Sequence, residues 1–99
     1  MALYGLMAVH LDDSGRVAQA RMQPVDGATN SWLGQPYQFE AHEVANLIVS
    51  GDVVYSIFIV PSGTVSGPKF RMVVYSGGGE GIELESDVEG RRVQDLVLF

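Results

Sequence analysis

The stretch EVANLIVS at residues 43–50, followed by Gly51 and then by VVYSIFIV at residues 53–60, decides the fold of this chain. In its first part, Val44 and Leu47 recur at helical spacing, and a glycine stands where a left-handed residue closes a helix. Its second part is an almost unbroken run of β-branched and aromatic residues, which favours a central strand. The sequence therefore predicts one short helix leading into a buried strand.

Alternation of apolar and polar residues predicts strands on both sides of that unit. The turn at 12–15 joins the first two strands into a hairpin, since Gly15 can take a positive φ and Asp12 can bond back to the backbone. Pro24 is expected to end the second strand, because proline has no N–H to donate. The predicted strands are Leu3–Leu11, Arg16–Gln23, Val53–Val60, Lys69–Tyr75, Ile82–Leu84 and Val93–Phe99, with a further short strand at Tyr37–Phe39.

The expected fold is α+β, with a curled, mostly antiparallel sheet of five to six strands and one short helix. The segments Asp26–Pro36 and Pro61–Pro68 are predicted to be loops, since they are rich in glycine, serine and proline. The length of 99 residues indicates a single domain, 1–99.

Composition narrows the class of protein. There is no cysteine, which excludes disulfides, thiolate chemistry and cysteine-based zinc sites and favours a cytoplasmic location. The net charge of −6 argues against binding to nucleic acid. The apolar start of the chain lacks the positive residues of a signal peptide, and no apolar run approaches the ~20 residues of a membrane span.

Apolar residues are abundant for so small and acidic a chain, at 46%. Surplus apolar surface often ends in self-association, so we expect a homodimer. The terminal stretch Leu96–Phe99 would be an aggregation hazard as an unpaired strand, and is expected to be buried in the sheet or paired across a dimer.

Two histidines offer the first candidates for chemistry. His10 stands near Asp12 and Asp13, and His42 stands between Glu40 and Glu43. Neither lies in a metal-ligand or catalytic spacing, so both are expected to be solvated, and no metal or cofactor is predicted. The run Gly77–Gly81 is expected to be a turn, since the lysine of a phosphate-binding loop is absent.

The candidate ligand-binding residues are Trp32, Tyr37, His10 and His42. The two aromatics, in the long loop, form either an exposed binding surface or a cap on the sheet edge. A non-enzymatic interaction module is the favoured function. A small-molecule binder or weak hydrolase is the alternative, with His10 or His42 as general base. Its pocket would lie between sheet and helix and be lined by Trp32, Tyr37, Tyr55 and Tyr75. A third reading is a cation-dependent acidic module that uses Glu83, Glu85 and Asp87.

The second half resembles small bacterial proteins of domain-of-unknown-function family thirty-eight ninety-two. The resemblance rests on the segment 42–51 followed by Val54-Tyr55, and on Glu89-Gly90 followed by 95–98. Arg91 and Arg92 stand where that family usually has tryptophan, and Asp95 where it has asparagine. The resemblance implies a fold but no activity, and a context of orphan genes in bacteria, including mobile gene cassettes.

Overall fold

The computed structural model describes residues 2–29 and 31–99. It is an α+β fold in which one helix covers one face of a mixed, mostly antiparallel sheet, so the predicted fold class is confirmed. The elements are β1 (Leu3–Leu11), β2 (Val17–Asp26), β3 (Ser31–Trp32), β4 (Tyr37–Glu40), α1 (Ala41–Val49), β5 (Val53–Val60), β6 (Gly63–Val74), β7 (Glu80–Leu84), a 3₁₀ turn (Val93–Asp95) and β8 (Val97–Leu98).

The described strands follow the order β3-β2-β1-β5-β6-β7, with β4 beside β2 and β8 beside β1. The central pair, β1 and β5, is parallel, because α1 carries the chain across the sheet between them. The other long pairs are antiparallel. The sheet is not strongly curled, which corrects the expected curled sheet. Residues of the helix and Leu96 pack in one core with the inward-facing residues of the strands.

The helix starts two residues before the predicted start. The Glu43 carboxylate accepts a hydrogen bond of 2.8 Å from the backbone N–H of Glu40, which is one half of a capping box. The sequence lacks the usual serine, threonine, aspartate or asparagine cap, so the pattern alone placed the start too late. At the other end Gly51 takes a φ of 102°, as predicted for the residue that closes the helix.

Two predicted loops contain strand. β3 pairs with the end of β2, which runs past Pro24, and the N–H of Leu33 donates to the Pro24 carbonyl at 2.8 Å. Most of the expected loop Pro61–Pro68 is the first half of β6, which pairs with β5 as far as Lys69 and with β7 beyond it. Pro68 is tolerated because it sits where the strand changes partner.

The expected strand Val93–Phe99 is shorter than predicted, because the Asp95 carboxylate accepts the backbone N–H of Arg92 and holds a 3₁₀ turn. Leu96 is buried in the core. The strand β8 pairs in parallel with Ala8 and Val9 of β1, beyond the residues of β1 that pair with β5. The terminal stretch is therefore in the sheet of its own chain, one of the two expected outcomes.

One core lies between the sheet and α1. It gathers the inward-facing residues of the strands, among them Leu6, Met22 and Phe58, against Val44 and Ala45 of the helix. The residues that alternate with these on the strands face away from α1 and form what we call the outer face.

Candidate functional site

The outer face carries a groove of about 510 Å³, which we call the outer groove. Pairing between strands brings its residues together, since Gly5 lies opposite Tyr55 and Leu3 lies opposite Val25. Residues opposite each other in neighbouring strands project from the same face. The groove is lined by Leu3, Tyr4, Gly5, Val25, Trp32, Tyr55, Ile57, Thr64, Val65 and Ser66.

Trp32 lies across the backbone of Gly5. A Cβ built on this glycine would lie 2.6 Å from Cη2 and 2.8 Å from Cζ3 of the indole, and 3.0 Å from Cγ1 of Ile57. Real Cβ atoms do not approach that closely, so the missing side chain at position 5 makes room for the ring. The backbone pairing of Trp32 with Val25 holds the other end of the residue. The indole is thus placed by two strands, yet 44% of Trp32 stays exposed.

Among the described residues, the walls of the outer groove contain no acidic, basic or histidine side chain. Tyr55 and Ile57 are half-buried, and the exposed Thr64 and Ser66 add hydroxyl groups to one side. The chain as a whole has a net charge of −6. The outer groove is therefore an uncharged, aromatic surface on an acidic protein, suited to apolar or neutral contacts.

Apolar surface continues beyond the groove. An adjoining hollow of about 530 Å³ shares Leu3, Val25 and Tyr55 with it, and adds the acidic Asp26 and Leu33, of which Leu33 is 48% exposed. On β5, Ile59 is 68% exposed and stands two residues beyond Ile57 on the same face. Exposed large apolar side chains thus flank the groove at two sides.

The structure brings only one of the four candidate ligand-binding residues, Trp32, into the groove. Tyr37 is 61% exposed on β4. His10 is exposed at the end of β1, where Nδ1 contacts the carbonyl oxygen of Phe99. His42 is exposed in the first turn of α1. The four residues do not form a common site.

The residues predicted to line a pocket between sheet and helix do not lie together either. Trp32 and Tyr55 share the outer groove, whereas Tyr75 lies in a separate cleft near Arg16. The interface between sheet and helix is filled by core side chains such as Val44. These aromatics are distributed over different parts of the molecule.

Two of the three acidic side chains predicted for a cation site form ion pairs with arginines. Glu83 forms an ion pair of 3.1 Å with Arg71, and Asp87 one of 2.7 Å with Arg92. The hydrogen bond with Asp87 raises the pKa of the Arg92 guanidinium. Within residues 2–29 and 31–99, no group of three or more histidine, aspartate or glutamate side chains is arranged to hold a metal ion.

Sequence reasoning missed most of the groove. Gly5 had a detectable signal, since a glycine inside an apolar strand often marks the close approach of another group. Thr64 and Ser66 lay in a segment predicted to be a loop, so their common face could not be inferred. Ile57 was hidden in a run of apolar residues without alternation.

No helix in the described part of the chain is both long and apolar enough to span a bilayer. Comparisons with family models, with curated proteins and with solved structures yield no match. The resemblance of the second half to the domain-of-unknown-function family therefore stays a prediction, and the case for function rests on the geometry of the outer groove.

Proposed function

We propose that this chain is a non-enzymatic interaction module that self-associates by packing the outer grooves of two copies against each other. The observation that carries the proposal is Trp32, which two strands hold in place while nearly half of it remains exposed. Ordered, partly exposed tryptophans are the residue type most enriched among those that dominate binding energy. A pre-placed ring also loses little conformational freedom on binding.

Charge supports a second copy as the occupant. Two chains of net charge −6 repel each other, so a stable contact between them requires a surface free of acidic groups. The outer groove meets that requirement, since its lining is uncharged. A two-fold contact places the same patch on both copies, and an uncharged patch can face itself without repulsion between like charges.

An interface of standard size would extend beyond the groove onto the exposed apolar residues that flank it. A standard interface buries about 800 Å² per partner. The chain exposes 5848 Å² in total, so such an interface would cover a modest fraction of its surface. On the flanks of the groove, the exposed Leu33 and Ile59 offer large apolar side chains of the kind that an interface buries.

The test is the molar mass as a function of concentration, measured by sedimentation equilibrium. We expect the wild type to show a monomer–dimer equilibrium, and Trp32→Ala to weaken it by about thirtyfold or more, as for a dominant interface residue. Added salt is expected to strengthen the dimer, because it screens the repulsion between two acidic chains without weakening an uncharged contact.

Tyr37→Ala is the matched control, since it removes an aromatic residue that is more exposed but lies outside the groove. It is expected to leave the equilibrium unchanged. A wild type that is monomeric at all concentrations, or a Tyr37→Ala variant as impaired as Trp32→Ala, would contradict the proposal.

A second candidate is binding of a neutral small molecule in the outer groove, favoured by the hydroxyls of Thr64 and Ser66 beside an aromatic wall. The cavity of about 510 Å³ falls in the size range of ligand sites. A ligand at ~100 times its dissociation constant adds about 2.7 kcal/mol, a thermal shift of roughly 10 °C or more. A screen of uncharged metabolites tests this, and a true groove ligand should produce no shift with Trp32→Ala.

A further inference from the structure

A second cavity, on a different part of the surface, gathers half of the basic residues of this acidic chain. The chain has six lysine and arginine residues. Three of them, Arg16, Arg71 and Arg92, line one cleft of about 410 Å³ where the start of β2 faces β7 and the segment that follows it. We call this the arginine cleft. Its volume falls within the range of small-molecule sites, about 300–1,000 Å³.

The three arginines differ in what they contact. Arg71 and Arg92 are neutralised by Glu83 and Asp87, as described above. Arg16 instead stacks on an aromatic ring, with its Cζ 3.8 Å from the centroid of Tyr75. Among the described residues, no carboxylate forms an ion pair with its guanidinium. Of the three arginines in the cleft, Arg16 is therefore the one whose guanidinium can pair with an anionic ligand.

The stack is held in place from both sides. A Cβ at Gly81 would lie 2.6 Å from Cε2 of Tyr75, so the absence of a side chain there allows the ring to lie against the strand. The backbone N–H of Arg16 donates to Asp12 at 3.0 Å, which fixes the chain at the turn. A guanidinium stacked on a ring keeps the N–H groups in its own plane free to donate, and that fork matches a carboxylate.

Part of the lining of the cleft is apolar. Leu84 and Val93 are half-buried there, and Val17 and Ile82 beside them are almost wholly buried. The cleft thus combines the guanidinium of Arg16 with apolar side chains in its lining. Burial raises the pKa of the Tyr75 phenol.

We propose that the arginine cleft binds a small amphipathic monocarboxylate, with the carboxylate on the guanidinium of Arg16 and the apolar body against Leu84 and Val93. The carboxylates of Glu83, Glu85 and Asp87 in the walls, and the net charge of the chain, disfavour ligands of higher negative charge such as phosphate esters. This site is separate from the outer groove and does not depend on the proposed self-association.

The test is a titration of the ¹⁵N-labelled full chain, followed by amide chemical shifts, with hexanoate as the probe. We expect saturable shifts at Gly15, Ile82 and Val93, with no shifts at Gly5 and Ile57 in the outer groove. Hexan-1-ol and hexylammonium, which keep the tail but lack the anion, are expected to bind at least roughly tenfold more weakly. Hexyl phosphate is expected to bind more weakly than hexanoate.

Arg16→Gln is expected to weaken hexanoate binding roughly tenfold or more, since it removes a charge-assisted hydrogen bond. Arg21→Gln is the matched control, because Arg21 also stacks on an aromatic ring, 4.0 Å from the centroid of Phe99, but lies outside the cleft. It should retain wild-type affinity.

Glu85→Gln provides a second, independent variant, which keeps Arg16 and its stack intact. Removing this wall carboxylate should tighten hexanoate binding. Absence of saturable shifts, equal binding of hexanoate and hexan-1-ol, unchanged affinity in Arg16→Gln or in Glu85→Gln, or tighter binding of hexyl phosphate would each overturn the proposal.

Discussion

The hydroxyl of Ser56 donates a hydrogen bond of 2.7 Å to the carbonyl oxygen of Pro68, at the point where β6 leaves β5 and joins β7. Ser56 is fully buried, and it is the one buried polar side chain in the described part of the chain. The register between β5 and β6 shifts here, between Tyr55 and Ile57. A β-bulge of this kind leaves a backbone group without a ladder partner, and the serine supplies one.

Replacing that serine should destabilise the protein more than its size suggests. Ser56→Ala leaves the partly buried Pro68 carbonyl without its partner, at a cost of about 1–3 kcal/mol. Thermal unfolding should show a melting temperature lower by roughly 4 °C or more. Ser76→Ala, in the exposed turn after β6, is the control and should melt like the wild type. Equal melting of Ser56→Ala and wild type would show that the hydrogen bond contributes nothing.

Gly5→Ala should displace the indole of Trp32 with little loss of stability, since the ring can swing outward from an exposed strand. Because the chain has a single tryptophan, its fluorescence reports this directly, and we expect emission shifted to longer wavelength. The variant should also self-associate more weakly. Gly27→Ala is the matched control, where a new Cβ would lie at an ordinary 3.5 Å from Cδ2 of Leu3. An unchanged emission spectrum in Gly5→Ala would argue against the close contact.

Leu96 should matter for folding far more than its neighbour Leu98. Leu96 is 4% exposed and belongs to the core, so Leu96→Ala should cost about 2–5 kcal/mol through lost burial and a residual cavity. Leu98 is 55% exposed, and Leu98→Ala should change the free energy of unfolding by about 0.5 kcal/mol or less. Urea denaturation of both variants tests this. Similar midpoints for the two would contradict the placement of the terminal segment.

Asp12 should confer a pH dependence on stability. Its carboxylate accepts hydrogen bonds from the Ser14 hydroxyl, the Ser14 N–H and the Arg16 N–H, and these lower its pKa below the ordinary value of 3.8. A carboxylate whose pKa is lowered by folding stabilises the protein above its ordinary pKa, and that contribution is lost as the pH falls through the lowered value.

The corresponding measurement compares the melting temperatures of wild type and Asp12→Asn from neutral pH downward. The wild type should be more stable at neutral pH, and the difference should shrink below the ordinary pKa of 3.8. Asp13→Asn, at the exposed neighbouring carboxylate, is the control. A difference between wild type and Asp12→Asn that stays constant with pH would contradict the prediction.

Local patterns predicted the helix and most of the strands. The spacing of Val44 and Leu47 identified α1, and Gly51 marked its end, because periodicity and a left-handed closing residue are properties of a short segment. The predicted start of α1 was wrong, because the helix is capped by a hydrogen bond from the backbone N–H of Glu40 to the Glu43 carboxylate. The first half of β6 was missed because a proline such as Pro68 is typical of a loop. A strand can nevertheless contain this proline, because β6 pairs with β5 before it and with β7 after it.

The candidate site could be predicted only in part. Trp32 was identified because exposed aromatics outside regular structure often mark binding, but its partners were not. Gly5 and Ile57 lie far from Trp32 along the chain, and their contact arises from the pairing of β2 with β1 and of β1 with β5. Likewise, Arg16 and Tyr75 carry no local signal that they stack.

By itself, the sequence determined the α+β class, the position of the helix, the turn at Asp12 and the lack of cysteine chemistry, since each depends on residue type or on short-range periodicity. Only the tertiary structure decided which strands are neighbours, that the sheet is not strongly curled, and that Trp32 and Arg16 lie in two separate cavities. The physical reason is that strand pairing is set by the burial of one shared core, and the residues of both cavities meet only because that core brings their strands together.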